Sequence, residues 1–538
     1  MRRETILSVA LLAVASGCGT GCDAEPTPDQ PKLAQPVSSA ASSTTTASAA
    51  PSALTADEQR DFYHLPEGGE LLPLDLLKAV ESTATFKPFM ENLERFRLIP
   101  DPSDPDGLPV GMSAAMVDGK RAAPRMVFFN CSACHSAEIT HQGRSIRVDG
   151  APAHVDMAGL IEELLGSFDS TLVNPQKLKA LTERLAARHI VKARDSKGGM
   201  AGTLAEKKQG LESAAESLKL LKEKVVYLKR LRNLRTTTKA GFGRLDAFVA
   251  ARNLLFGEKY AMDVTSPVSL PPIFGLSRLE WFHYDNNTTS IVQRNIGENL
   301  GMGAVADVRT GESSVLVRNL VRLETIVAKL PIPKWPEALL GRLDAARVGR
   351  GEVIYKRECA SCHDDAPDGT FPDRVIPLAD VGTDPNRALN FAKPIDDRPF
   401  SAALAAVLDK VEKKAIEREK ITPEEATRME PRSVVWRTTN GYASRPIDGV
   451  WATAPYLHNG SVPTLYDLLL PPAERPKTFM TGSREYDPKK VGYVSDGSHG
   501  GTFHFDTAGD GNHNTGHTWG TTLAEDERLD LLEYLKSR

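Results

Sequence analysis

Two pentapeptides in this chain, Cys131-Ser132-Ala133-Cys134-His135 and Cys359-Ala360-Ser361-Cys362-His363, carry residue types that can hold a metal or make covalent bonds. Two thiols three positions apart can each form a thioether with one vinyl group of a haem, and the adjacent imidazole then falls on the iron from the proximal side. With 6 Cys and 12 His in 538 residues, chance supplies on the order of 0.001 such pentapeptides. A zinc joint of four thiolates, or two redox-active dithiols, would use the same cysteines but gives no reason for a histidine directly after both pairs. The expectation is two covalently bound c-type haems, with His135 and His363 as iron ligands.

Something must hold these segments in place. Leu343, Ala346, Val353 and Ile354, ahead of the second pair, predict a helix facing a core. Near the C-terminus, Thr522 with Glu525 three residues later has the capping-box pattern, and Leu529, Leu532 and Leu535 share one face of the helix that follows. Together these resemble the crossed helices of cytochrome c domains. Between the motifs, Leu160–Leu165, Pro175–Lys192, Leu204–Leu234 and Leu245–Phe256 carry apolar residues at helical spacing, and the Lys, Arg and Glu among them read as a solvated face. From Pro267 onward, Pro271, Pro272, Phe274, Trp281, Phe282, His283 and Tyr284 mark an aromatic loop region. The fold class expected is mainly α: two cytochrome c-type domains with long loops and an inserted helical region, the first haem domain at 58–337 and the second at 338–538.

Residues 1–18 read as a targeting segment. Arg2 and Arg3 precede an apolar run from Ile6 to Ala15 and the small residues Ser16-Gly17. The run is about half of the ~20 residues that a membrane-spanning helix needs. Ala15-Ser16-Gly17-Cys18 resembles a lipobox with Ala where Leu is commoner, so either a lipid on Cys18 tethers the protein or the segment is a plain cleaved signal peptide. Residues 19–57, rich in Pro, Ser, Thr and Ala, read as a disordered linker. The expected location is the periplasm, outer membrane or cell exterior. Composition, 41% hydrophobic and 25% charged, suits folded domains. The balance of 66 Lys plus Arg against 70 Asp plus Glu, net −4, leaves no basic field for nucleic acid.

The segment Asp448-Gly449-Val450-Trp451-Ala452-Thr453-Ala454-Pro455-Tyr456-Leu457-His458-Asn459-Gly460-Ser461-Val462-Pro463-Thr464-Leu465 resembles the di-haem cytochrome c peroxidase superfamily, and within it the rubber oxygenase (latex-clearing di-haem dioxygenase) branch. Gly241–Phe248, Arg294–Glu298, Gly382–Pro385 and Gly511–His517 add to the resemblance, which spans residues 125–538. It implies a redox protein in which one haem is the reaction site and the other passes or stores electrons. In the oxygenase branch the first haem binds dioxygen and a carbon–carbon double bond of polyisoprene is cleaved; in the peroxidase branch an open haem reduces hydrogen peroxide. The partners implied are O2 or H2O2, a hydrophobic organic substrate and a redox partner protein. The alternatives are a non-enzymatic electron-transfer cytochrome and a diverged member acting on a partner protein alone.

The sixth ligands decide between these, because a tightly six-coordinate haem only exchanges electrons. By the resemblance His517 closes the second haem, with His513 as its rival. Pro472 stands where the better-known peroxidases carry a ligating Met, so that ligand is missing, and Met480 reads as core. For the first haem the candidates are His141, His154, Met157 and His283, with Trp281 and Phe282 as catalytic distal-pocket residues beside His135. Glu280 and Asp285 offer acid or base groups in the same stretch. His458 is expected near a haem, Trp451 and Trp436 are candidate electron relays or core, and Asp364–Asp368 reads as a turn.

Overall fold

Each Cys-X-X-Cys-His segment is delivered by different local structure. A computed structural model of the protein describes residues 47–48, 53–116, 125–195, 212, 214–222, 225 and 238–538. The targeting segment, Cys18, most of the linker and most of Leu204–Leu234 lie outside the described residues. Strand Arg125–Phe129 is the middle of a three-stranded antiparallel sheet, between Leu72–Pro73 and Met112–Met116. Asn130 then caps the short helix Cys131–His135: its Oδ1 accepts from Ser132 N at 3.1 Å, and its Nδ2 donates to the Phe62 and Leu65 carbonyls at 3.1 and 3.2 Å. Gly111 packs against this helix with φ +85°, and a Cβ there would stand 2.1 Å from Ala133 N. Only glycine permits that approach. The chain leaves through the antiparallel pair Ser136–His141 and Arg144–Asp149. Ala47–Ser48, two residues of the stretch expected to be a linker, pair in parallel with Ile146–Arg147.

The second segment follows the helix Ala345–Glu358, capped by Asp344 through Ala346 N and Arg347 N. This helix crosses the terminal helix Glu525–Ser537 at Gly351, where a Cβ would lie 2.0 Å from Asp530 O. Arg350 and Arg347 fasten the crossing to Asp530 at 2.7 and 3.0 Å. The crossed pair is therefore present, but two details differ from expectation. The buried face of the first helix is Gly351, Ile354 and Tyr355, with Val353 66% exposed, because close helix contact needs the smallest side chain and not another branched one. The terminal helix starts at Glu525, and the reciprocal bond is Ala524 N to Glu527 Oε2 at 3.1 Å, so Thr522 is not its cap.

Helix accounts for 43% and strand for 15% of the structure. The strands, two to six residues long, leave little alternating pattern in the sequence. Helices Met157–Val173 and Pro175–Asp195 contain the stretches Leu160–Leu165 and Pro175–Lys192 and extend beyond them, and Ala247–Phe256 falls within Leu245–Phe256. Residues on both sides of position 337 share one apolar cluster, including Tyr63, Ile139, Trp335, Trp451 and Leu531. Arg484 ties the halves together, donating to Glu138 at 2.9 Å and to the Arg97 carbonyl at 2.8 Å. No helix among the described residues is long and apolar enough to cross a membrane.

Candidate functional site

Both pentapeptides open onto one cavity of about 390 Å³, lined by Cys131 and His135 from the first and by Cys359, Cys362 and His363 from the second. Cys134 packs at the edge of a neighbouring apolar cluster. All four thiols are free. Among the described residues no group of three or more His, Cys, Asp or Glu is placed to hold a metal ion, so the four-thiolate joint does not form. Burial pushes the Cys134 and Cys359 thiols up to about 12, with the Glu67 and Glu358 charges adding to the effect, which is the opposite of a reactive dithiol.

The second half of the cavity fits a haem iron. His363 Nδ1 donates to the Arg445 carbonyl at 2.7 Å, which fixes the ring and leaves Nε2 as the free nitrogen. The His517 ring lies across from it, with centroids 6.4 Å apart. A metal-to-imidazole bond of about 2.0 Å on each side, plus about 1.1 Å from a ring nitrogen to the centre of a ring with ~1.33 Å bonds, spaces two such rings about 6.2 Å apart. The His517 Nδ1 is buried without a partner. Burial, with His363 and Arg475 nearby, pulls His517 down to about 4, so it stays neutral, as a ligand must. His517 sits at φ +44° with its N–H on the Val381 carbonyl at 2.7 Å. The rival His513 instead pairs through Nδ1 with Asp384 Oδ2 at 2.7 Å and does not line the cavity.

His135 is oriented in the same manner as His363, with Nδ1 donating to the Pro271 carbonyl at 2.8 Å, and desolvation keeps it neutral. The wall near it is mixed. Phe282, buried, stands beside Arg294, Glu298 and His283. His283 Nε2 lies 3.3 Å from Glu298 Oε1, and its Nδ1 bonds Asn287 Oδ1 at 2.7 Å. Burial alone would raise the Glu298 carboxyl, but the nearby His283 ring and the Arg294 charge outweigh it and hold the group below its usual value. Arg294 also pairs with Glu324 and covers the Phe282 ring at 4.4 Å. Behind the first segment, Glu67 accepts from Cys131 N at 2.7 Å; burial pushes its carboxyl up to about 7, partly offset by its bonds to Cys131. Sequence reasoning missed Glu67, Glu298 and Arg475. Arg294–Glu298 stood within the quoted resemblance, and that was the signal available.

The other expected residues are dispersed. Trp281 does not line the cavity; its ring lies under Arg437 at 3.5 Å. His141 bonds the Tyr486 carbonyl, and His154 packs tilted against Tyr493, ring centroids 3.8 Å apart, with Nε2 on the Ala454 carbonyl; neither lines the cavity. Met157 is buried in apolar packing. Of the first-haem ligand candidates, only His283 lines the cavity. Trp451 is fully buried against Trp335 and Tyr486, and Trp436 donates to Gln293 Oε1 at 2.8 Å. Trp451 is core and Trp436 is half-buried against an apolar cluster, and Tyr442 stacked on His458 at 4.0 Å faces the cavity instead.

Residues 441–480 match the family described as RoxA-like, cytochrome c-like, a stretch that contains the Ala454-Pro455-Tyr456-Leu457-His458 segment. Over 89% of its length the chain is 31% identical to the uncharacterized protein y4iJ of Sinorhizobium fredii and covers 91% of that protein. It is 36% identical over 38% of its length to the uncharacterized protein y4iM of the same organism, covering 51% of it. The class defined is a haem-binding cytochrome related to the rubber oxygenases. The chain belongs to the family of y4iJ within that class.

Proposed function

We propose that the protein is an exported di-haem c-type cytochrome, tethered by a lipid on Cys18, that works as a haem-dependent oxidoreductase. Cys131, Cys134 and His135 carry the first haem, where dioxygen or hydrogen peroxide is activated. Cys359, Cys362, His363 and His517 carry the second, which passes electrons supplied by a redox partner protein. One asymmetry carries this reading: His363 faces His517 at the spacing of two ligands on one iron, whereas His135 shares its cavity wall with Phe282 and the His283–Glu298–Arg294 set.

When bound, the first haem supplies the redox change. Glu298, held as a carboxylate, is a proton acceptor at Oε1, and His283, anchored through Nδ1, can hold a proton at Nε2 and return it. Peroxide reduction consumes protons at the reacting oxygen, so this pair favours hydrogen peroxide over dioxygen as oxidant. A second reading, oxidation of a hydrophobic organic molecule with dioxygen, is favoured by the apolar share of the same wall, Leu270, Leu279 and Phe282. Pyridine haemochrome analysis of the purified protein, followed by turnover with a reduced donor and hydrogen peroxide or with a polyisoprene latex under air, tests the proposal. Two covalent haems and consumption of one oxidant are expected. A single haem, or two haems with neither oxidant consumed, would overturn it.

A further inference from the structure

The loop that carries His517 is tied down by one buried arginine from a distant part of the chain. Arg475, 2% exposed, follows the short turn Pro472–Glu474 and uses all of its guanidinium nitrogens on backbone carbonyls. Nη1 donates to Asn514 O at 2.7 Å and Gly516 O at 2.8 Å; Nη2 donates to His517 O at 3.0 Å and Leu468 O at 3.1 Å; Nε donates to Leu470 O at 3.1 Å. A guanidinium is the one side chain whose rigid fork can satisfy that many carbonyls at once. Asp467, which accepts from Thr464 Oγ1 at 2.6 Å, is the carboxylate whose charge reaches Arg475, but none of the guanidinium's hydrogen bonds goes to it. Below the loop, Gly516 at φ +73° fits so tightly that a Cβ would stand 2.2 Å from Gly382 C and 2.3 Å from Thr383 N. The loop is held from above by charge-assisted bonds and stopped from below by backbone.

We infer that Arg475 is the positioning residue that sets the place of His517 opposite His363. This rests on the reading of His517 as the second haem's sixth ligand. Lysine would keep the charge and lose the fork; methionine would lose both.

The test uses the holoprotein, with low-temperature electron paramagnetic resonance and the optical spectrum of each haem. In Arg475→Met the low-spin signal assigned to two imidazoles should be lost or split, with the first haem's spectrum unmoved. In Arg475→Lys the signal should be disturbed as well, because the fork and not the charge holds the loop. If Arg475→Met does not fold, Gly516→Ala displaces the same loop from its other side and should give the same loss of signal. His517→Ala separates the two levels of the argument. If it leaves the low-spin signal intact, the ligand reading falls and this inference with it. If it abolishes the signal while Arg475→Met, or Arg475→Lys where the Met variant does not fold, preserves it, the ligand stands and the role of Arg475 is overturned.

Discussion

Replacing Glu298 by glutamine tests whether the polar wall of the first site does chemistry. The substitution keeps shape and removes one charge. Arg294 keeps its pair with Glu324, and His283 keeps its Nδ1 bond to Asn287 at 2.7 Å, so the wall has partners left and the fold cost should be small. The loss falls on proton transfer, for which a positioned acid or base supplies ~10²–10⁴-fold, equal to about 3–5 kcal/mol of barrier at ~1.4 kcal/mol per decade. Because Glu298 is held below the usual carboxylate value, any acid limb it gives the natural protein's turnover lies below that of an ordinary carboxylate. The assay is steady-state peroxide reduction with a reduced donor, with the optical spectrum of each haem as control. A fall in kcat with both haem spectra unchanged is expected. Turnover within threefold of the natural protein would refute the proton-transfer role.

Three further outcomes are expected. Asp285→Asn leaves Arg387 buried without its carboxylate, both side chains being under 5% exposed, and should cost about 3–5 kcal/mol in urea unfolding; a change below ~1 kcal/mol would show that the pair is not buried as described. His154 is neutral in the fold, burial pulling it from 6.5 down to about 4, so the unfolded chain binds the extra proton first. Its contribution is complete above pH 6.5 and is lost at about 1.4 kcal/mol per pH unit as pH falls from there toward 4; His154→Gln should flatten that part of the stability profile. Cys131→Ala combined with Cys134→Ala should leave one covalent haem per chain by pyridine haemochrome, and retention of two would contradict the attachment sites.

The chemistry-bearing residues were legible because they are local. Cysteine spacing and an adjacent histidine announce a haem site without any knowledge of the fold, and the structure places both segments on one cavity. The helix before Cys359 and its terminal partner were legible from periodicity, but their contact face was not, since Gly351 gives no hydrophobic signal. Nothing local marks Arg475 as the holder of His517, 42 residues on, or Glu298 as the partner of His283, because those meetings depend on how loops fold back. Trp281 and Phe282 are neighbours in sequence that point to different surroundings, and of the two tryptophans near the family segment Trp451 is core while Trp436 is half-buried. Loop backbone has no fixed period from which to read direction.

The most direct test of a di-haem enzyme with one closed and one open iron is low-temperature electron paramagnetic resonance of the ferric protein, recorded before and after addition of hydrogen peroxide. One low-spin signal from the haem between His363 and His517, unmoved by peroxide, is expected beside a second signal from the haem on His135 that is high-spin or changes on addition. Two low-spin signals, both indifferent to peroxide in the ferric and in the half-reduced protein, would contradict it.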